Sequence, residues 1–121
     1  MAISKIVKAM NTESLTFTVN ENVITNPTSI KASRFGNVVH VTFWGTKLAS
    51  NLPATSQNVI TGLPACAHQG TAHLGLAGAN TYNIQGNVYN SGADSGNLNV
   101  GLKSGYSADT AMYASLIYLA K

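Results

Sequence analysis

The sequence predicts an all-β domain, and three features of the chain lead to that prediction. Short stretches in which apolar and polar residues alternate recur along it. Clusters of Pro, Gly, Asn and Ser separate these stretches at the spacing typical of short strands joined by turns. The third feature is a long strand pattern at residues 34–48, RFGNVVHVTFWGTKL. We expect this stretch to contain the central strand, around which the other elements are arranged.

Length and composition indicate a single domain with a mostly uncharged polar surface. A chain of 121 residues forms one domain, and one cysteine, Cys66, allows no internal disulfide. Charged residues make up 9% of the chain, against a usual ~25%, so Asn, Ser, Thr and Gln must cover much of the surface. Such a surface suits neutral polar ligands or a large area buried between subunits. The Lys and Arg residues are scattered, and neither a long apolar run nor a secretory leader is present, so we expect no nucleic-acid binding, no membrane insertion and a soluble chain.

The first part of the chain is predicted to hold an arm and a strand. Residues 2–11 fit either one face of a short helix or an extended arm, and we expect the arm. Residues 14–20 alternate like a half-buried strand with a Thr-lined wet face. The inward side chains of this strand are predicted to be Leu15, Phe17 and Val19.

The middle of the chain is predicted to form two further strands. A break at residues 26–27 precedes a short strand at 29–34, whose inward side chains are Ile30 and Ala32. Residues 37–45 contain no Pro and no charge and are rich in β-branched and aromatic residues, so they form the central strand. Alternation gives it two faces: Val39, Val41 and Phe43 on one, and Val38, His40, Thr42 and Trp44 on the other. Neither face is simply polar, so we expect one to cover the core and the other to meet a second partner.

The remaining elements are short strands followed by a long final one. In order they are a turn at 50–53, strands at 57–61, 73–76 and 82–89, a polar loop at 90–96 and a strand at 97–103 that completes a hairpin. Residues 111–120 fit either a helix or a strand. Their alternation, together with two Tyr and an Ile, favours a strand. This strand is apolar on both faces, which predicts oligomerisation, because a bare outer face would aggregate.

Several motifs in the last three quarters of the chain resemble one family. They are RFGNVVHVTF at 34–43, ITGLP at 60–64, the Gly-rich hairpin leading into GNLNV at 96–100, and YASLIY at 113–118. In order and spacing they are similar to the C-terminal head domains of bacteriophage tail-fibre and baseplate receptor-binding proteins, which resemble the jelly rolls of tumour necrosis factor and C1q. The chain departs from the pattern at residues 65–68, where ACAH replaces a Gly-Tyr-Arg-Pro-like continuation, and residues 1–28 match nothing in it.

This resemblance implies a homotrimer of antiparallel β-sandwiches with jelly-roll topology. Residues 29–121 would form the head, and residues 1–28 an N-terminal arm and first strand of the same single domain. The implied location is the virion, at a phage tail or fibre tip outside the cell, where an upstream fibre or virion protein would be a further partner. By analogy the strand at 111–120 and the central strand would face the threefold axis. The implied interface residues are His40 and Trp44, with Leu116 and Tyr118 or their opposite register.

The function that follows from the resemblance is non-enzymatic binding to a bacterial surface polysaccharide or protein receptor. The alternative is a structural trimerisation or capping module, or a capsid decoration protein, with no host ligand. For a sugar, an aromatic ring would stack on the apolar face of the ligand while amide and carboxylate groups bridge its hydroxyls. Loops on a rigid scaffold usually carry recognition. The predicted ligand-binding residues, all near turns, are Tyr89, Asn90, Asp94 and Tyr106.

Residues that carry catalysis or metal binding in other proteins form no complete site in this sequence. Cys66, His68 and His73 offer three zinc-type ligands, but a structural site needs four, and no second Cys or nearby acid completes it. We therefore expect no metal and no cofactor, and a loop thiol at Cys66. Asp94 and Asp109 are better explained as turn-shaping residues than as a glycosidase pair, so we expect no enzymatic activity.

Overall fold

The computed structural model describes residues 12–49, 56–67, 71–75, 85–90, 96–102 and 111–121. Within these ranges the chain forms strands and a single 3₁₀ turn at Pro27–Ser29. The strands are β1 Thr12–Ser14, β2 Thr18–Val19, β3 Ile30–Phe35, β4 Val38–Lys47, β5 Ser56–Thr61, β6 Thr71–Gly75, β7 Gln85–Asn90, β8 Leu98–Leu102 and β9 Ala111–Leu119. The prediction of an all-β domain is confirmed, whereas the arm expected at residues 2–11 lies outside the described residues.

The strands form two antiparallel sheets. Sheet A has the order β1-β3-β4-β9, and sheet B has the order β2-β5-β8-β7-β6. Apolar side chains from both sheets meet in one core, so the described chain has a two-layer, sandwich-like arrangement. No helix in the described part of the chain is long and apolar enough to cross a bilayer.

The core between the sheets is formed by the inward residues of the central strands. Val39, Val41 and Phe43 of β4 are buried, as their alternation predicts. Ile30 and Ala32 of β3 are buried beside them, which confirms the predicted face of that strand. Sheet B supplies the opposite half of the core through Val59, Ile60, Leu98 and Val100.

Strand β4 is regular up to Trp44 and then bulges. It begins after the turn at residues 36–37 and pairs with β3 on one side and β9 on the other. Its register with β9 shifts between Trp44 and Thr46, leaving Gly45 as the extra residue, with a positive φ of 64° that glycine adopts without strain. The side chain of Asn26 supports this bulge, because its amide nitrogen donates to the Gly45 carbonyl (3.0 Å) and its amide oxygen accepts from the Lys47 N–H (2.5 Å). After the bulge the alternation reverses, so that Thr46 points inward.

The single strand expected at residues 14–20 is in fact two strands in different sheets. β1 pairs with β3 in sheet A, and β2 pairs with β5 in sheet B. The side chains of Leu15, Phe17 and Val19 do pack against the core as predicted. Both sheets face the same core, so the inward alternation continues while the chain crosses from one sheet to the other, and the pattern cannot reveal the crossing.

The final element is a strand, as predicted, and its two faces are now distinguished. β9 pairs with β4 along its whole length, and its inward residues Met112, Leu116 and Tyr118 are buried in the domain's own core. This corrects the assignment of Leu116 and Tyr118 to an intersubunit interface. The opposite register, which the sequence left open, is the one that faces outward, and it contains Ile117 and Leu119.

The short strands predicted in the second half of the chain are present in sheet B. The strands expected at 57–61, 73–76, 82–89 and 97–103 correspond to β5, β6, β7 and β8. β7 and β8 pair as the expected hairpin, with Val88 opposite Val100. The predicted turn at 50–53 and residues 91–95 of the polar loop lie outside the described residues.

Candidate functional site

The outer face of sheet A carries a concentration of exposed apolar side chains. Among the residues whose side-chain exposure the structure describes, every exposed large hydrophobic residue lies on this face. These residues, here called the apolar face, are Phe35, Val38, Trp44, Tyr113, Ile117 and Leu119. Monomeric proteins rarely expose many large apolar side chains on one face, and such faces often mark contact surfaces.

Strand register explains why these side chains meet. Val38 lies between Phe35 of β3 and Leu119 of β9, and these three form one end of the apolar face. At the other end Trp44 lies opposite Tyr113. Their rings are 5.2 Å apart between centroids at an interplanar angle of 89°, an edge-to-face contact that holds both rings in place.

A polar pair lies between the two ends of the apolar face. The His40 Nε2 and Ser115 Oγ atoms are 2.7 Å apart, within hydrogen-bond distance, and Ile117 pairs with His40 across the strands. A serine and a histidine in contact are two parts of a nucleophilic site, but such a site also needs a group that orients the imidazole. No carboxylate in the described residues hydrogen-bonds to His40, so this pair completes no triad there.

The predicted interface residues on β4 do lie on the outer face. Trp44 is 78% exposed, so it is not a core residue of the single chain, and His40 is half-buried beside Ser115. The charged side chains that share this face are Lys31 on β3 and Lys47 at the end of β4, both exposed.

A broad groove opens beside the first half of β3. It has a volume of 1220 Å³ and lies between β3 and residues 14–21, where the chain crosses between the sheets. Its lining also includes side chains from β4 and from β5. Sequence reasoning missed this groove, because its residues are far apart in the chain and no local motif marks a crossing between sheets.

The predicted ligand-binding residues are only partly within the described chain. Tyr89 and Asn90 lie at the end of β7, opposite Asn99 and Leu98 of β8. Asp94 and Tyr106 lie outside the described residues.

The predicted thiol-imidazole cluster is likewise only partly within the described chain. Cys66 is fully buried in the core instead of lying in an exposed loop, because residues 65–67 pair with the end of β9. His68 lies outside the described residues, and His73 is on β6. No group of three potential metal ligands occurs among the described residues.

Tyr118 is the residue whose ionisation the fold perturbs most clearly. Its hydroxyl donates to the Pro64 carbonyl at 2.8 Å, inside the domain. Burial raises the pKa of Tyr118 to about 12, the Cys66 thiol adds to the increase, and Arg34 opposes it. The neutral phenol thus ties β9 to residues 64–67, and its role is structural.

The fold and the site define a class: an antiparallel two-sheet β domain with an apolar outer face on one sheet and a polar groove along its edge. Comparison with known proteins found no matching family model, no matching curated protein and no matching solved structure.

Proposed function

We propose that this chain is a non-enzymatic binding head that assembles with copies of itself through the apolar face of sheet A. In this proposal three copies, each a jelly-roll sandwich, surround a common axis at the tip of a phage fibre or a similar appendage. The assembled head binds carbohydrate on the surface of a bacterium. The resemblance of the sequence motifs to phage head domains supports the location and the ligand class.

The observation that carries the proposal is the presence of six exposed large hydrophobic side chains on one sheet face, which are all that occur among the residues with described side-chain exposure. Ile117 is 65% exposed although it lies inside strand β9, and Leu119, the last residue of that strand, is 56% exposed. Burying a side chain of this size contributes about 1.5–3 kcal/mol. Six such residues on one face therefore provide a strong driving force for association.

The charge pattern favours a copy of the same chain as the partner on this face. Apart from Lys31 and Lys47, the outward residues of sheet A are apolar or neutral polar. A surface depleted in charge at its centre is typical of interfaces between identical subunits. An acidic or highly charged partner would find few opposite charges there.

The assembly part of the proposal is tested by the solution mass of the purified chain. Light scattering at concentrations down to the sub-micromolar range should give a mass near three times the 12.6 kDa of one chain. A mass of one chain throughout the range would refute assembly through the apolar face.

The same face would serve a structural trimerisation, capping or decoration module equally well. The two functions differ in whether the assembled protein has a ligand outside the virion. We expect fluorescently labelled protein to adsorb to cells of a susceptible bacterium and to lose adsorption when surface polysaccharide is removed. Assembly without any adsorption across a panel of bacteria would favour the structural function.

A further inference from the structure

The groove beside β3 exists because no described strand of sheet A pairs with the first half of β3 on the side opposite β4. β1 pairs with β3 only opposite Ser33 to Phe35, and the chain then crosses to sheet B. Within the described chain, the first half of β3 keeps a single backbone hydrogen bond on that side, from the Leu15 N–H to the Ala32 carbonyl (2.9 Å). The crossing segment, residues 14–21, forms the opposite wall. The groove is thus a consequence of the topology.

The walls of the groove present neutral hydrogen-bonding groups. The charged side chains in its lining are Glu21 and Lys31, one of each sign, so the lining has no net charge from them. Seven hydroxyl groups in the lining make no side-chain hydrogen bond within the described part of the chain: those of Ser14, Thr16, Thr18, Thr28, Ser33, Thr42 and Thr61. These groups are available to a ligand that both donates and accepts hydrogen bonds.

The groove also has an apolar component that is held in place by the core. Phe17 is the one aromatic hydrocarbon ring in the lining, and it is half-buried against the core cluster. Leu15 and Val19 line the groove on either side of it in the sequence. Because these side chains pack on the core, the ring does not have to be ordered when a ligand binds.

We propose that this groove binds a segment of neutral polysaccharide. A sugar chain offers many hydroxyl groups that match the Thr and Ser hydroxyls, and its apolar ring faces match Phe17. The volume of 1220 Å³ exceeds the 300–1,000 Å³ typical of sites for single small molecules, so several sugar units are accommodated. The balance of Glu21 and Lys31 favours an uncharged chain over an acidic one.

This inference rests on the proposed function for its ligand class, but not on assembly. The site differs from the one predicted around residues 89–106, because none of the described residues that line the groove comes from that part of the chain. It also adjoins the apolar face, since Ser33 and Thr42 point outward from sheet A. His40, between the two ends of the apolar face, is also part of the groove lining.

The test begins with an array of immobilised oligosaccharides, some built from neutral hexoses and N-acetylhexosamines and others carrying uronic or sialic acids. The full chain is expected to bind neutral members and not acidic ones. Affinity for the best neutral oligosaccharide is then measured by titration calorimetry for the double variant Thr16→Val/Thr18→Val, which removes two hydroxyls and keeps side-chain shape. We expect binding at least about tenfold weaker, because each lost hydrogen bond weakens binding several-fold. The matched control is Thr12→Val, an exposed β1 residue outside the groove, which should bind like the original chain.

The outcomes separate this proposal from the proposed assembly. Unchanged affinity in the double variant, with an unchanged melting temperature, would overturn the groove as the site. Binding confined to acidic oligosaccharides, or to none on the array, would overturn the ligand class even if the chain assembles. A chain that remains monomeric but loses affinity in the double variant would support the groove while refuting assembly.

Discussion

Replacing Trp44 by Ala should weaken assembly far more than it weakens the fold. The indole is 78% exposed in the single chain, so its removal leaves the core intact. A Trp side chain of roughly 250 Å² then leaves about 190 Å² for a partner to cover. At about 25 cal/mol per Å² this is worth up to about 5 kcal/mol per interface. Measured hot-spot losses start near 2 kcal/mol, so we expect association to weaken at least about 30-fold.

The effect on the single chain is expected to be small. Trp44 contacts Tyr113 edge to face, and losing such a contact costs about 0.5–1.5 kcal/mol. Sedimentation velocity over a dilution series measures the association constant, and urea unfolding of the dilute monomer measures the stability. The control is Asn22→Ala, an exposed turn residue away from sheet A. An association constant for Trp44→Ala within threefold of the original would refute the role of the apolar face.

Trp44 also allows assembly to be observed without any mutation. It is the single tryptophan of the chain, so all tryptophan emission reports on the outer face of sheet A. On assembly the emission maximum should move to shorter wavelength, and quenching by iodide should decrease, because the indole leaves water. Emission that does not change while the mass increases would show that the copies associate through another surface.

Three further changes probe the interface, the bulge and the buried phenol. Ile117→Lys places a charge on the apolar face and should yield a monomer by light scattering with near-normal melting. Asn26→Ala removes the two hydrogen bonds that hold the Gly45 bulge and should lower the free energy of unfolding by about 2 kcal/mol in urea titrations. Tyr118→Phe removes the hydrogen bond to Pro64 and should cost about 1 kcal/mol at pH 7. Because the folded pKa of Tyr118 is about 12, its contribution is complete below pH 10 and lost as pH rises through 12.

Ile117→Lys and Tyr118→Phe each have a matched control, and each of the three changes has a result that would contradict its interpretation. For Ile117→Lys the control is Asn22→Lys, which adds the same charge at an exposed turn residue outside the apolar face, and an oligomer that survives Ile117→Lys would contradict the proposed interface. For Asn26→Ala, unchanged stability would mean that Gly45 alone maintains the bulge. For Tyr118→Phe the control is Tyr113→Phe, and the variant should lose less stability than the original between pH 10 and 12. If the original chain and Tyr118→Phe lost the same free energy of unfolding between pH 10 and 12, the raised pKa of Tyr118 would be contradicted.

The sequence predicted the strands well, because local alternation and side-chain type determine them. The central and final strands and their hairpin partners were recognised in this way, and the inward face of β4 was assigned correctly. β9 was harder, because Leu116 and Ile117 are both aliphatic and alternation alone does not say which one faces the core. Only pairing with β4, where Val41 lies opposite Leu116, resolves it.

The parts of the site that depend on long-range placement could not be predicted. The crossing between β1 and β2 leaves the alternation of residues 14–20 undisturbed, so the groove that it opens had no signature in the sequence. Cys66 was expected in a loop, but it is buried, because residue 66 pairs with Ala120. These segments are more than fifty positions apart, so no local pattern in the sequence indicates the pairing. The jelly-roll topology, the trimer and the receptor remain predictions that the experiments above address.

The bulge at Gly45 has a consequence for the protein before it meets any partner. By reversing the alternation it buries Thr46, whose hydroxyl lies 2.7 Å from that of Ser29, and it turns the Lys47 ammonium out on the same side as Trp44. Charged residues that flank an apolar strand reduce aggregation, because another chain that packed against the strand would have to remove water from the charge. In a newly synthesised chain, the exposed Lys47 at the end of β4 therefore disfavours aggregation through that strand before assembly.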